Sequence, residues 1–149
     1  MKDEVFMKEA LKQAIKAAKL DEVPVGAVVV KDKKVIASAF NKRESTQNAV
    51  FHAELKAIEK ACKKLGGWRL SDCELFVTLE PCMMCLGACL NARIDRVVFG
   101  ADNENQDSSA LKLFVDKNNH NHCLKISGGV MKEDCAELLK DFFKRKRQS

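Results

Sequence analysis

Apolar residues recur at helical spacing at Phe6, Ala10, Leu11, Ala14, Ile15 and Ala18, with lysines between them, so residues 3–20 are predicted to form an amphipathic helix. The apolar run 23–30, Val-Pro-Val-Gly-Ala-Val-Val-Val, reads as a strand, residues 31–34 as a turn, and 35–40 as the returning strand of a hairpin. Residues 41–50 are polar and irregular. From Phe51 to Leu65 the positions Leu55, Ile58, Ala61, Cys62 and Leu65 describe a second long helix, stopped by Gly66-Gly67. This pattern sets His52 and Glu54 in that helix's first turn. Residues 74–79 form the third strand, and Pro81 suits the first position of a helix running to about Ala92. Strands at 96–101 and 124–127 and helices at 108–115 and 132 to about 146 complete the pattern.

An initial hairpin followed by strands alternating with helices predicts an α/β protein. Its expected architecture is a three-layer α/β/α sandwich on a five-stranded central sheet. The helices that carry the motifs below should bring their N-terminal ends together at one edge of that sheet. At 149 residues without an internal repeat or a low-complexity linker, the chain reads as one domain, 1–149. Its composition, 46% hydrophobic and 32% charged, is that of a globular protein in water. No apolar run approaches the length needed to span a bilayer and the polar, basic start is not a secretory leader, so the expectation is a cytoplasmic protein with no membrane partner.

Charge sharpens the picture slightly. The formal +5 is modest, but Lys144, Arg145, Lys146 and Arg147 are consecutive near the C-terminus, where they could meet phosphates. Seven cysteines without a leader do not suggest a disulfide framework. Cys62, Cys89 and Cys135 read as small apolar residues on helices, and Cys73 and Cys123 flank strands.

The remaining pair, Cys82 and Cys85, stands in Pro-Cys-Met-Met-Cys, and His52 begins His-Ala-Glu. Together they offer one imidazole and two thiols, three ligands where a structural zinc takes four, which leaves a position open for water. Cysteines three apart share a helix face, and the free amides at a helix start favour thiolate. Cys89, a turn deeper, could close the site as a fourth ligand but reads better as apolar packing. Glu54, two residues past His52, lies near the metal without having to bind it and is the candidate proton shuttle. The order His-x-Glu, then Pro-Cys-x-x-Cys, is the signature of zinc-dependent nucleobase deaminases.

At this point the chain resembles the bacterial tRNA-specific adenosine deaminases, which convert wobble adenosine to inosine. Glu-Val-Pro-Val-Gly-Ala-Val-Val-Val from Glu22, Asn41, His-Ala-Glu from His52 and Trp-Arg-Leu from Trp68 occur in the family's order. So do Val-Thr-Leu-Glu-Pro-Cys-Met-Met-Cys from Val77, Ala-Arg-Ile-Asp-Arg-Val-Val-Phe-Gly from Ala92 and the terminal Asp-Phe-Phe-Lys-Arg-Lys-Arg. The resemblance implies a cytidine-deaminase-like sandwich, one zinc ion per subunit on His52, Cys82 and Cys85, and Glu54 as catalytic residue. It also implies a homodimer that binds the tRNA anticodon stem-loop across both subunits.

By the same resemblance Asn41 would hydrogen-bond the flipped base or its sugar, and backbone amides around Ala53 would read the base edge. Asn121 and His122 match a pair on the family's RNA-binding rim, a solvated loop being the plainer alternative. Phe142 and Phe143 would pack near a flanking nucleotide, although core packing of at least one competes. Two features depart from the family pattern. The stretch 101–109 has neither the lysine nor the glycines usual there, with Asn103 where an acid is common, and Phe51 replaces a small residue before His52. Alternatives are therefore a deaminase of a free base or nucleoside, of guanine or cytosine type, and a binding module with a structural zinc.

Overall fold

The computed structural model describes residues 2–117 and 122–148. In chain order they form α1 (Lys2–Lys19), β1 (Gly26–Lys31), β2 (Lys34–Phe40), α2 (Arg43–Thr46), α3 (Ala53–Leu65) and β3 (Cys73–Leu79). Then follow α4 (Met83–Asn91), β4 (Arg96–Ala101), α5 (Ser108–Lys117), β5 (Lys125–Ser127) and α6 (Lys132–Gln148). The strands make one sheet in the order β2-β1-β3-β4-β5. β1 runs antiparallel to both β2 and β3, and β3, β4 and β5 are mutually parallel. Asp32 and Lys33, both at positive φ, make the tight turn of the β1–β2 hairpin, a twist suited to paired strands.

Strand alternation explains the three layers. Ala27, Val29, Leu75, Val77, Val97 and Phe99 point to one face, where they pack with Ala57, Ile58 and Ala61 of α3, Leu86 and Cys89 of α4 and Leu111 and Val115 of α5. The intervening Val28, Val30, Phe76 and Val98 point the other way, to Met7 and Ala10 of α1 and Cys135 of α6. α1 lies very close to the sheet at Gly26, where a Cβ would sit 2.1 Å from the Ala10 carbonyl oxygen. Only glycine leaves room for that approach.

The elements match the sequence pattern within a few residues, with three differences. Residues 41–50 are not wholly irregular, since α2 lies within them. His52 and Cys82 are not in the first turns of their helices but just outside, as the N-cap residues of α3 and α4. Their extended backbones (ψ 147° and 173°) are those that cap positions adopt. Pro81 consequently lies ahead of the cap and not at the first helical position. Among the described residues no helix is long and apolar enough to cross a membrane.

Candidate active site

β1 begins, β2 ends and β3 ends at the same end of the sheet, so the chain leaves that end through Asn41 and through Glu80-Pro81. The N-termini of α3 and α4 meet there, beyond the strand ends and not at a lateral edge. A pocket of about 180 Å³ opens between them, lined by Val25, Asn41, His52, Ala53, Glu54, Glu80, Cys82 and Asn103 among others.

His52 Nδ1 lies 3.8 Å from Cys82 Sγ and 3.6 Å from Cys85 Sγ, and the three donor atoms are all within 4.8 Å of one another. Zinc–sulfur and zinc–nitrogen bonds of about 2.3 and 2.0–2.1 Å, set at the tetrahedral angle, put nitrogen and sulfur about 3.6 Å apart. The observed separations match that edge, so the three side chains fit a tetrahedral zinc with one corner left over. Cys89, fully buried in the core, is not part of the cluster. Burial pushes its thiol well up, as befits an inert packing residue.

The cluster is electrostatically tight. A hydrogen bond from the Cys85 thiol, with help from His52, brings Cys82 down to about 4. The same bond pushes Cys85 strongly up, because two thiols this close share one ionisation. A coordinated cation deprotonates thiols outright, so both sulfurs are available as ligands. His52 is raised first by its bond with Cys82.

Glu54 is only 4% exposed. Burial pushes its carboxyl up, outweighing the opposite pull of its own backbone amide and of His52. A carboxyl raised in this way keeps a proton more readily than an exposed one and can pass it to a ligand in the pocket. Ala53, buried at the first position of α3, sets a helix start against the pocket. Asn41 is 6% exposed, its Nδ2 donating to the Val23 carbonyl at 3.2 Å. Its Oδ1 is the buried side-chain atom without a hydrogen-bond partner among the described residues. Buried acceptors are normally satisfied, so an orphan acceptor at a pocket wall invites a ligand donor.

A groove of about 510 Å³ continues outward from the pocket, sharing Val23, Arg43, Leu79 and Asn103 with it and adding Lys140, Phe143 and Arg147. Phe142 and Phe143 divide unequally here. Phe142 is 4% exposed and packs inward, so its ring is covered, whereas Phe143, at 45%, is the aromatic that a ligand in the groove can reach. His122 does not border the pocket of its own chain. Its Nε2 donates to the Ile94 carbonyl, ahead of β4, at the opposite end of the parallel strands from Cys82. Asn121 lies outside the described residues.

Sequence reasoning passed over Glu80, whose Oε1 accepts the Asn103 amide at 3.1 Å and the Ser108 hydroxyl at 3.0 Å. This carboxylate holds the unusual 102–108 segment against the pocket. The available signal was an acid at the end of an apolar strand, directly before Pro81-Cys82.

Comparison with known proteins agrees with this geometry. Residues 1–147 match the model of the MafB19-like deaminase family. The chain is 45% identical over 147 residues to a tRNA-specific adenosine deaminase of Bacillus subtilis, covering 98% of this chain and 91% of that one. It belongs to the tRNA-specific adenosine deaminase family. A solved structure from work on tRNA:A34 deaminases and A-to-I editing at the wobble position superimposes with a TM-score of 0.82 at 38% identity. That superposition covers 90% of this chain and 98% of the other. Guanine deaminase of Bacillus subtilis is more distant in shape, with a TM-score of 0.65 at 32% identity over 98% of this chain and 94% of its own. The three-layer fold is thus the deaminase fold of this family, and zinc is its cofactor.

Proposed function

We propose that this chain hydrolyses the wobble adenosine of tRNA to inosine and releases ammonia, with tRNA bound through its anticodon stem-loop. The observation that carries the reading is the His52–Cys82–Cys85 triangle, whose two nitrogen–sulfur edges have the length of a tetrahedral zinc site, with a buried Glu54 in the same pocket. The close relatives named for tRNA adenosine deamination supply the substrate.

His52 Nδ1 and the thiolates of Cys82 and Cys85 would hold one zinc ion. Bound there, zinc supplies Lewis acidity and activates a water nucleophile at neutral pH. Every other step falls to the protein. Hydrolysis at C6 replaces the bond to the exocyclic nitrogen by a bond to water oxygen, so protons must leave the water and reach N1 and the departing amine. Glu54 takes the proton that the water loses and delivers it to N1, then takes the proton of the new C6 hydroxyl and delivers it to the leaving nitrogen, a double duty that its raised pKa suits. The Asn41 Oδ1 accepts a hydrogen bond from the base or from a sugar hydroxyl, and amides at the start of α3, around Ala53, face the base edge. A pocket of this size reaches only a base already out of the stack, which single-stranded loops provide.

The homodimer belongs to the same reading. His122 stands at the far end of the sheet from its own pocket, so only RNA held at a partner's site would bring it to an RNA-binding rim. A tRNA substrate favours the cytoplasm.

The test is inosine formation on an anticodon stem-loop alongside free guanine, cytosine and adenosine, with metal content measured in parallel. Turnover of the RNA alone supports the reading. Efficient deamination of guanine or cytosine with the RNA untouched would place the chain with the free-base deaminases. Zinc without any ammonia release would leave a structural metal.

A further inference from the structure

Glu22 is 1% exposed, and among the described residues it is in no ion pair. Its carboxylate is nevertheless fully engaged. Oε1 accepts the Glu44 amide at 3.0 Å and Oε2 the Ser45 amide at 2.6 Å. Burial pushes its pKa up, but the bonds from Ser45 and the Glu44 amide outweigh it and hold the group below the usual carboxylate range. These two amides belong to α2, a helix of four residues with no apolar period and no side-chain cap from Lys42. A helix so short has little stability of its own. Glu22 therefore supplies from the α1–β1 turn the capping that the local sequence lacks.

That turn also secures the chain just ahead of α2, where Asn41 is bonded through its backbone amide to the Val25 carbonyl and through its side chain to the Val23 carbonyl. The residue delivered by this double fastening is Arg43. It lines both the pocket and the outer groove, and no carboxylate among the described residues pairs with it. A guanidinium carried at such a border on a clamped backbone is suited to a phosphate, which it can grip with two parallel hydrogen bonds.

We propose that Glu22 is a positioning residue: by clamping the first turn of α2 it holds Arg43 where its guanidinium meets the phosphodiester of the nucleotide entering the pocket. The assignment rests on the polynucleotide reading of the site. Glu22 itself touches no substrate and acts through Arg43.

The experiment measures kcat, KM, zinc content and thermal stability of Glu22→Gln, Arg43→Ala and the double variant on an anticodon stem-loop RNA. Each single substitution is expected to raise KM about tenfold with kcat within about twofold and zinc unchanged, and the double variant to match Arg43→Ala. Glu22→Asp, which keeps the charge, should show a smaller rise in KM and keeps the test open if the Gln variant folds poorly. Additive effects in the double variant, an unchanged KM in Glu22→Gln, or a fall in kcat with loss of zinc would each reduce Glu22 to a structural cap and overturn the proposal. Wild-type protein inert on the RNA would instead sink the substrate reading, and the proposal with it.

Discussion

His52 Nδ1 lies 3.6 Å from Cys85 Sγ although His52 caps α3 and Cys85 lies within α4, with a strand between the two helices in the chain. That separation is a ligand-to-ligand edge and not a packing contact. It predicts about one equivalent of zinc per chain, and its loss in Cys82→Ala or Cys85→Ala. Because metal binding and folding are coupled, both variants should also melt at lower temperature than the zinc-loaded wild type. Metal analysis and calorimetry check both statements, and normal zinc in either variant would remove the assignment.

Glu54 separates ligation from proton transfer. Replacing it by Ala should leave zinc in place and lower turnover by a factor of about 10² to 10⁴, the usual range for a general acid–base group. The measurement is zinc content beside single-turnover rate. A variant that loses its metal would make Glu54 a ligand.

The neighbouring phenylalanines should part company under mutation. Phe142→Ala empties a buried position and should cost about 3 kcal/mol or more of stability. Phe143→Ala should change stability by only about 0.5 kcal/mol, yet raise KM for RNA, since its exposed ring borders the groove. Denaturant unfolding and steady-state kinetics on the same two proteins decide the matter.

Acid stability should report on the tie between α1 and β4. Arg96 grips Asp3 through both terminal nitrogens, at 2.7 and 3.0 Å, and also reaches Glu74 at 3.2 Å. The hydrogen bond from Arg96 holds the Asp3 carboxyl below the usual carboxylate range. A depressed carboxyl contributes stability that is complete above its unfolded value, near pH 4, and lost as pH falls through the lower folded value. Wild type should therefore lose an increment below about pH 4 that Asp3→Asn lacks. The pair is partly solvated, so the increment should be about 1 kcal/mol at most. Equal acid limbs in the two proteins would show that the pair contributes nothing.

The layer order and the metal triangle were legible because each is written locally. Apolar runs at residues 27–30, 75–77 and 97–99 mark strands, their succession with helices marks the layers, and His52, Cys82 and Cys85 name the donor set. What escaped is set by partners far away in the chain. The helix α2 has no signal of its own because its cap, Glu22, comes from another turn. Adjacent phenylalanines on α6 look alike until the α1–β1 turn and α2, which border Phe142, decide which one is covered. His122 sits in a short segment whose position depends on where β5 joins the sheet, something no local pattern specifies. The resemblance supplied roles, but not where in space those residues fall.

The position of β3 also carries a consequence in time. His52 precedes this strand and Cys82 follows it, while β3 is wedged between antiparallel β1 and parallel β4. The two halves of the metal site therefore meet only once the distant strand pairings have formed, and such non-local pairings are the slow part of folding. An interaction completed that late acts on the rate of leaving the native state and not on the rate of reaching it. Zinc should accordingly leave the refolding rate of this chain nearly unchanged while lengthening the lifetime of the folded enzyme.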